Sequence, residues 1–303
     1  MLSSFRIACT LFCLGLALAA IGCSTQRIIF DESLKGRFEY AKSLYEQKDY
    51  YAAQLELNKL IYTSRATEYE DDVQFYLAQS YFFYGQYLLA AEAYQTLLRN
   101  IPSSPYSRIA SFQIAMCYYK LSPVHSLDQE YSRRAIAQFQ SYIDTYPVPD
   151  SARIAREIQD LRLLAADAPD SARRATYEAL IGRLQAQLGE LDTLRLAEEK
   201  IMECRNKLAL KALDAAKQYI QLRAYRAATL YFDEVLTSYP DSPYYEEALL
   251  GKIETLIVRE RWSEAEDEIE RYEEKFPDKK YKVEGAKAFV KEQLLQSNQT
   301  TIR

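Results

Sequence analysis

The sequence predicts an all-α, right-handed solenoid of five stacked helix pairs, with a helical or coiled-coil arm inserted between the third and fourth pairs. Three observations carry this. First, small residues recur at a fixed offset: Ala41, Ala78 and Ala115 are 37 apart in turn, as are Ala53 and Ala90, and again Ala228 and Ala265. An offset of that size marks stacked supersecondary units that bury their apolar faces only against copies of themselves. Second, Pro102, Pro147, Pro240 and Pro277 close units two to five, and Arg65 stands at that place in unit one. Proline stops a helix because it cannot continue the hydrogen-bond ladder. Third, only 8 Gly in 303 residues argue against turn-rich β architecture, and 26 Tyr suit repeats that pack rings between helices.

The stretch from Asp72 to Pro105 defines the unit. Leu77, Ala78 and Tyr81 share one helical face, Gly85-Gln86 breaks the pattern, and Ala90, Tyr94 and Leu97 form a second face. A small residue at the closest approach, large residues around it and a closing proline describe a tetratricopeptide repeat (TPR). Unit one spans Leu34 to Tyr69 and unit two Glu70 to Pro105. Unit three starts at Tyr106 and is irregular. Its Ala115 and Ala135 are 20 apart, where Ala78 and Ala90 are 12 apart, so eight residues are added within LSPVHSLDQEYS. Pro123 and the polar cluster place them in a loop. Units four and five span Leu208 to Pro243 and Tyr244 to Lys280, with Trp262 packing at the inter-helix turn. Residues 281–295 are the capping helix that a solenoid needs over its last apolar face. The tail 296–303 is polar and expected to be disordered.

Residues 151–207 interrupt the spacing. From Ser151 the run ARIAREIQDLRLLA is amphipathic, and Ala168-Pro169-Asp170-Ser171 is a break followed by an N-cap signal. Tyr177, Leu180, Leu184, Leu188, Leu191, Leu194 and Ile201 then form a stripe near heptad spacing. One helix is expected from about Ser171 into unit four, weakened by up to about 1 kcal/mol at each of Gly182 and Gly189. Two arrangements suit residues 160–205: a projecting hairpin or coiled-coil arm, or a helix pair lying flat on the solenoid.

The first 22 residues read as an export signal, with Arg6 ahead of an apolar run from Ile7 to Ile21 that is too short to span a bilayer comfortably. The run ends Ala19-Ala20-Ile21-Gly22-Cys23, which resembles the lipobox of bacterial lipoproteins; a plain secretory signal is the alternative. The resemblance implies that Cys23 is lipidated and that Ser24 after it directs the protein to the outer membrane. Acyl chains then attach it at about 0.8 kcal/mol per buried CH₂. Residues 23–33 form a tether whose Ile28-Ile29-Phe30 is expected to dock on the first repeat. Of five cysteines, Cys9 and Cys13 leave with the signal, and Cys117 and Cys204 remain as a disulfide or as two separately packed thiols.

First helices line the concave face of such a solenoid. Counting from each core Ala, the groove positions three before and one, four and five after give Phe38, Lys42, Tyr45 and Glu46 in unit one. They give Phe75, Gln79, Phe82 and Phe83 in unit two, and Phe112, Met116, Tyr119 and Lys120 in unit three. Leu213, Lys217, Ile220, Leu250, Glu254 and Ile257 give units four and five a more aliphatic lining. Aromatic and Met side chains suit adaptable binding of apolar peptide segments. Burial under neighbouring helices or the tether is the other possibility for these rings. Chemistry has little support: no Gly-rich phosphate loop, HExxH or Cys-x-x-Cys occurs, so no enzyme, cofactor or metal site is expected. The single His, His125, reads as an exposed loop residue. A net charge of −5 argues against a nucleic-acid partner.

Ser104-Pro105-Tyr106-Ser107 opening unit three, the stretch Ser126 to Pro147 with its long loop before the second helix, and the lipobox-like Cys23 together resemble the BamD-like family of outer-membrane protein assembly lipoproteins. The resemblance covers about 34–160 and 205–290; the arm departs from it. It implies a non-enzymatic scaffold on the periplasmic face of the outer membrane. Front repeats would receive unfolded outer-membrane proteins with aromatic-terminated signals, and rear repeats would bind the periplasmic domains of the barrel insertase.

Overall fold

The computed structural model describes residues 33–146 and 150–301. The export signal, Cys23 and the Ile28–Phe30 docking segment lie outside the described residues. Unit one is α1 (Leu34–Glu46) and α2 (Tyr50–Leu60); unit two is α3 (Glu70–Phe83) and α4 (Tyr87–Asn100); unit three is α5 (Ser107–Leu121) and α6 (Glu130–Thr145). The arm helix α7 (Ser151–Ala166) precedes α8 (Ser171–Gln221). Unit four pairs the C-terminal part of α8 with α9 (Tyr225–Ser238), and unit five pairs α10 (Tyr245–Val258) with α11 (Trp262–Lys275). A 3₁₀ turn, Pro277–Lys282, leads to α12 (Glu284–Thr301). The helix therefore runs on through Gln296, where no structure was expected, because an established helix extends at little cost.

The repeat alanines explain the stacking. Ala41, Ala78, Ala115, Ala53, Ala90, Ala228 and Ala265 are all fully buried, so each helix pair crosses at a methyl group and the backbones approach closely. Each regular unit turns between its helices through a residue in the left-handed region: Lys48 (φ 66°), Gly85 (φ 88°), Arg223 (φ 57°) and Glu260 (φ 56°). Only unit two uses glycine there, the residue that adopts this conformation without strain. Side chains of Ser33, Asp49, Asp150 and Asp170 cap α1, α2, α7 and α8.

A close approach in the rear half is at Gly251 of α10, where an added Cβ would sit 2.5 Å from Cζ of Phe232. Phe232 is itself buried and has nowhere to swing. Replacing a helical glycine with alanine ordinarily gains up to about 1 kcal/mol. Here Gly251→Ala is expected to lower stability by about 1–2 kcal/mol through overpacking, measured as a fall in the chemical-denaturation midpoint.

The long helix α8 settles the arm. At 51 residues and about 1.5 Å per residue it is roughly 75 Å long. Its N-terminal part pairs with α7, and its remainder touches α5 and packs on α6 and then α9. This is the hairpin alternative: α7 buries Ile154 and Ile158, while Leu163, Leu164 and Leu180 stay exposed. Among the described residues no helix is long and apolar enough to cross a membrane.

Where α8 joins unit three, Phe112, Phe139, Tyr142, Leu194, Ala197 and Cys204 form one core. The extra loop of unit three is strapped to this helix. Lys207 Nζ donates to Ser122 Oγ at 3.0 Å and Lys211 Nζ to the Leu127 carbonyl at 2.7 Å. His125 faces the Asp214 carboxylate at 3.0 Å, so it is a clamp residue and not a free loop histidine. Buried Gln129 ties the loop together by donating to the carbonyls of Val124 and Leu127.

The solenoid end is closed by α12, with Trp262 against Phe289 at 5.8 Å. Glu246 of α10 accepts from Lys279 at 2.5 Å, Lys282 at 2.7 Å and Tyr272 at 2.9 Å. Hydrogen bonds from Lys279 and then Lys282 hold its carboxyl down at about 2, against an ordinary value of 4.5 and against partial burial. A depressed carboxyl stabilises the fold above its unfolded value and loses that contribution as pH falls towards the folded one. The thermal midpoint of the native chain should therefore fall between pH 4.5 and 2. Glu246→Gln should start lower at neutral pH and lack that share of the fall; identical pH profiles would contradict the assignment.

Candidate peptide-binding surface

Of the groove positions predicted in the rear units, Leu213 is fully buried; ten of those predicted in the front units divide into two sets. Phe38, Phe75, Phe112 and Gln79 are buried and do not line an open groove. For the three rings the physical reason is spacing: a residue three before the core alanine lies on the same helical face as that alanine. The three rings accordingly pack into the contacts between helices. Phe38 meets Tyr69 and Tyr76 at 5.7 and 5.8 Å. Phe75 stacks on Tyr106 with centroids 4.1 Å apart and planes within 7°. Phe112 sits against Phe139 and Tyr142 at 5.7 and 5.5 Å.

The other six are reachable to different degrees. Lys42 is half-buried with its amine 5.3 Å from the Tyr76 ring; a hydrogen bond with Tyr76 raises its pKa. Tyr45 is half-buried between Tyr50 and Tyr76, at 5.6 and 5.3 Å, and burial pushes its phenol up to about 12. Phe82 packs edge-on against Phe83 and Tyr87. Phe83 stacks on Tyr50 at 5.3 Å, lies 6.1 Å from Tyr45, and is 49% exposed. Met116 packs on the unit-three core. Tyr119 belongs to the α8 junction: its hydroxyl donates to Glu203, which raises its pKa, and Lys200 and Lys207 sit over its ring.

The structure thus brings Tyr45, Phe82 and Phe83 together and holds Met116 and Tyr119 apart at the unit-three junction. Counting only first helices missed Tyr50, Tyr51, Tyr84 and Tyr87, which lie at the inter-helix turns of units one and two. Tyr51 and Tyr84 are exposed and touch at 5.6 Å, so the open rings form a cluster at that edge. The Tyr50-Tyr51 pair beginning α2 was the available signal. A patch of this kind usually marks an interaction site.

A second concavity, about 440 Å³, lies between α5 and the arm part of α8. Pro105, Ile109 and Phe112 form one wall, and Ala186, Gly189 and Thr193 the other. Arg108 Nη1 spans it to Glu190 Oε2 at 2.6 Å. The cysteines are elsewhere: Cys117 and Cys204 are free and buried in different cores, with burial pushing their thiols up to about 12 and about 11. They are packed thiols. Among the described residues no group of three or more His, Cys, Asp or Glu is placed to hold a metal ion.

Residues 72–104 match the family profile of the tetratricopeptide repeat. That stretch is a tetratricopeptide repeat. It covers α3, its turn and α4, the unit whose rings open on solvent at Phe83 and Tyr84. The other helix pairs also bury alanines where their helices cross, and together they make a solenoid of helix pairs. TPR units are protein-interaction scaffolds, so the open rings are candidate contacts for a protein partner. Solved structures similar to the chain include a thermophilic TPR protein of Thermus thermophilus, at 15% identity, covering 69% of this chain and 93% of that one with a TM-score of 0.32. A TPR protein of Parabacteroides merdae has 12% identity, coverage of 85% and 98%, and a TM-score of 0.32. The C-terminal part of a TPR repeat-containing protein of Cytophaga hutchinsonii has 16% identity, coverage of 82% and 98%, and a TM-score of 0.29. No curated protein matches the chain in sequence.

Proposed function

We propose that this chain is a non-enzymatic lipoprotein scaffold of outer-membrane β-barrel protein assembly. In this reading Cys23 carries the acyl anchor at the periplasmic face of the outer membrane. The front units receive unfolded outer-membrane protein segments, and the rear units hold the periplasmic domains of the barrel insertase. The observation that carries the reading is the open ring cluster around Phe83, with Tyr45, Tyr50, Tyr51 and Tyr84. Rings left uncovered by the solenoid offer stacking and apolar contact to an aromatic-bearing extended segment. The motif resemblance at Ser104–Ser107 and Ser126–Pro147 supports the setting.

The test uses Phe83→Ala with Tyr84→Ser, both at exposed positions. Helicity is expected to be unchanged, and affinity for a peptide ending in Phe to fall at least tenfold. Equal binding by the double variant removes the front-unit assignment. Cys23→Ser should move the protein from the membrane to the soluble fraction. Co-purification after mild detergent extraction should recover the barrel insertase; division or peptidoglycan proteins in its place would favour a different envelope adaptor.

A further inference from the structure

A concavity of about 590 Å³ lies where unit four turns from α8 into α9. Arg223, Arg226 and Arg259 line it, with Tyr225, Ala227 and Leu230 between them. Among the described residues, no carboxylate lies within 4 Å of any of the three guanidinium groups. Arg223 and Arg226 are exposed, and Arg259 is held in place by donating from Nη1 to Thr229 Oγ1 at 2.9 Å. Three like charges facing one hollow repel one another, and a bound anion relieves that repulsion. The N-terminus of α9 has no side-chain cap, so its first-turn N–H groups add to the positive potential. Leu222, Leu230 and Val258 stand exposed, each next to an arginine in the chain or one turn away from it.

We propose that this concavity docks an acidic segment of a partner protein, with a carboxylate seated among the three guanidinium groups and an apolar side chain laid on Leu230. The planar guanidinium fork takes a carboxylate through two parallel hydrogen bonds. The exposed leucines give the segment an apolar footing that a free anion would not use. A membrane fits less well: the three arginines line a concavity, which a single side-chain carboxylate can enter and a flat bilayer surface cannot. The proposal rests on the reading of the chain as a protein-binding scaffold, and on neither the ring cluster nor the lipid anchor.

Conformation supplies a clean test. Position 223 is left-handed at φ 57°, so Arg223→Gly removes the charge while suiting the turn. Arg226→Ala places the best helix former on an exposed first turn. The probe is an eight-residue peptide of alternating Glu and Leu, titrated into the full chain carrying Cys23→Ser at low salt. Binding is expected, falling at least tenfold in R223G/R226A and for the Gln/Leu counterpart, with an unchanged melting temperature. Equal binding by the double variant overturns the proposal. Inorganic phosphate binding as tightly as the peptide overturns it in favour of a simple anion site. Binding to phosphatidylglycerol vesicles, with none to the peptide, overturns it in favour of a lipid surface. The Phe83 variant should leave Glu/Leu binding intact, so failure here and failure of the front-unit assignment are separable.

Discussion

Phe75→Ala is expected to destabilise the front half of the solenoid by about 3–5 kcal/mol, the usual cost of truncating an enclosed aromatic side chain. Phe75 is 7% exposed, stacked on Tyr106 and edged by Tyr76 and Tyr94. Removing it empties a ring-sized volume between α3 and the start of α5, and it strips Tyr106 of its stacking partner. Tyr106 also donates its hydroxyl to Asp72, so the change loosens a contact made by two groups. A solenoid unfolds by neighbouring units, so units two and three should melt ahead of the rear half. Calorimetry or hydrogen exchange resolved by segment would show this. Phe83→Ala, at a half-open ring, should cost less than about 1 kcal/mol. A Phe75→Ala chain within 1 kcal/mol of the native one would show that the ring is not enclosed. The same contrast governs binding experiments: lost affinity after changing Phe75 reports unfolding, whereas lost affinity after changing Phe83 reports contact.

Lys252→Met is expected to lower stability by about 2–4 kcal/mol. Lys252 is 12% exposed and lies between Asp233 at 2.5 Å and Glu268 at 2.6 Å. Burial opposes its charge, yet the hydrogen bonds to Asp233 and Glu268 outweigh that and raise its pKa. Taking the cation away leaves the Glu268 carboxylate, itself mostly enclosed, with Arg271 at 3.4 Å as its remaining charged partner. Stranding one member of a poorly solvated pair costs more than the pair contributes. Glu268→Gln in the Lys252→Met background should therefore recover part of the loss. A double-mutant cycle is expected to give a coupling of at least about 1 kcal/mol; strict additivity would show that the two side chains do not interact.

Much of this molecule is legible from its residues in order. The alanine register at 41, 78 and 115, with 53 and 90 and with 228 and 265, locates the helix crossings because only a methyl group fits where two backbones meet. The extra loop of unit three follows from counting between Ala115 and Ala135. The continuous helix into unit four follows from the absence of a strong breaker after Ser171. These are local properties of periodicity and steric size, and they survive any arrangement of neighbours.

Exposure is a different kind of property. Whether a ring lines a groove depends on what the next unit lays over it, and three of the rings counted into the groove lie on the same face as their core alanine. The choice between a projecting and a flattened arm depended on whether α7 found a partner other than α8. The strap from Lys207, Lys211 and Asp214 onto the loop joins residues more than eighty positions apart. Arg223 and Arg226 likewise meet Arg259 of the next helix pair, which lies 36 and 33 positions further along the chain. The sequence by itself determined the repeat and its small-residue crossings, because those are set within one helix pair. Tertiary structure decided which side chains face water and which charges converge, because both depend on contacts between units distant in the chain.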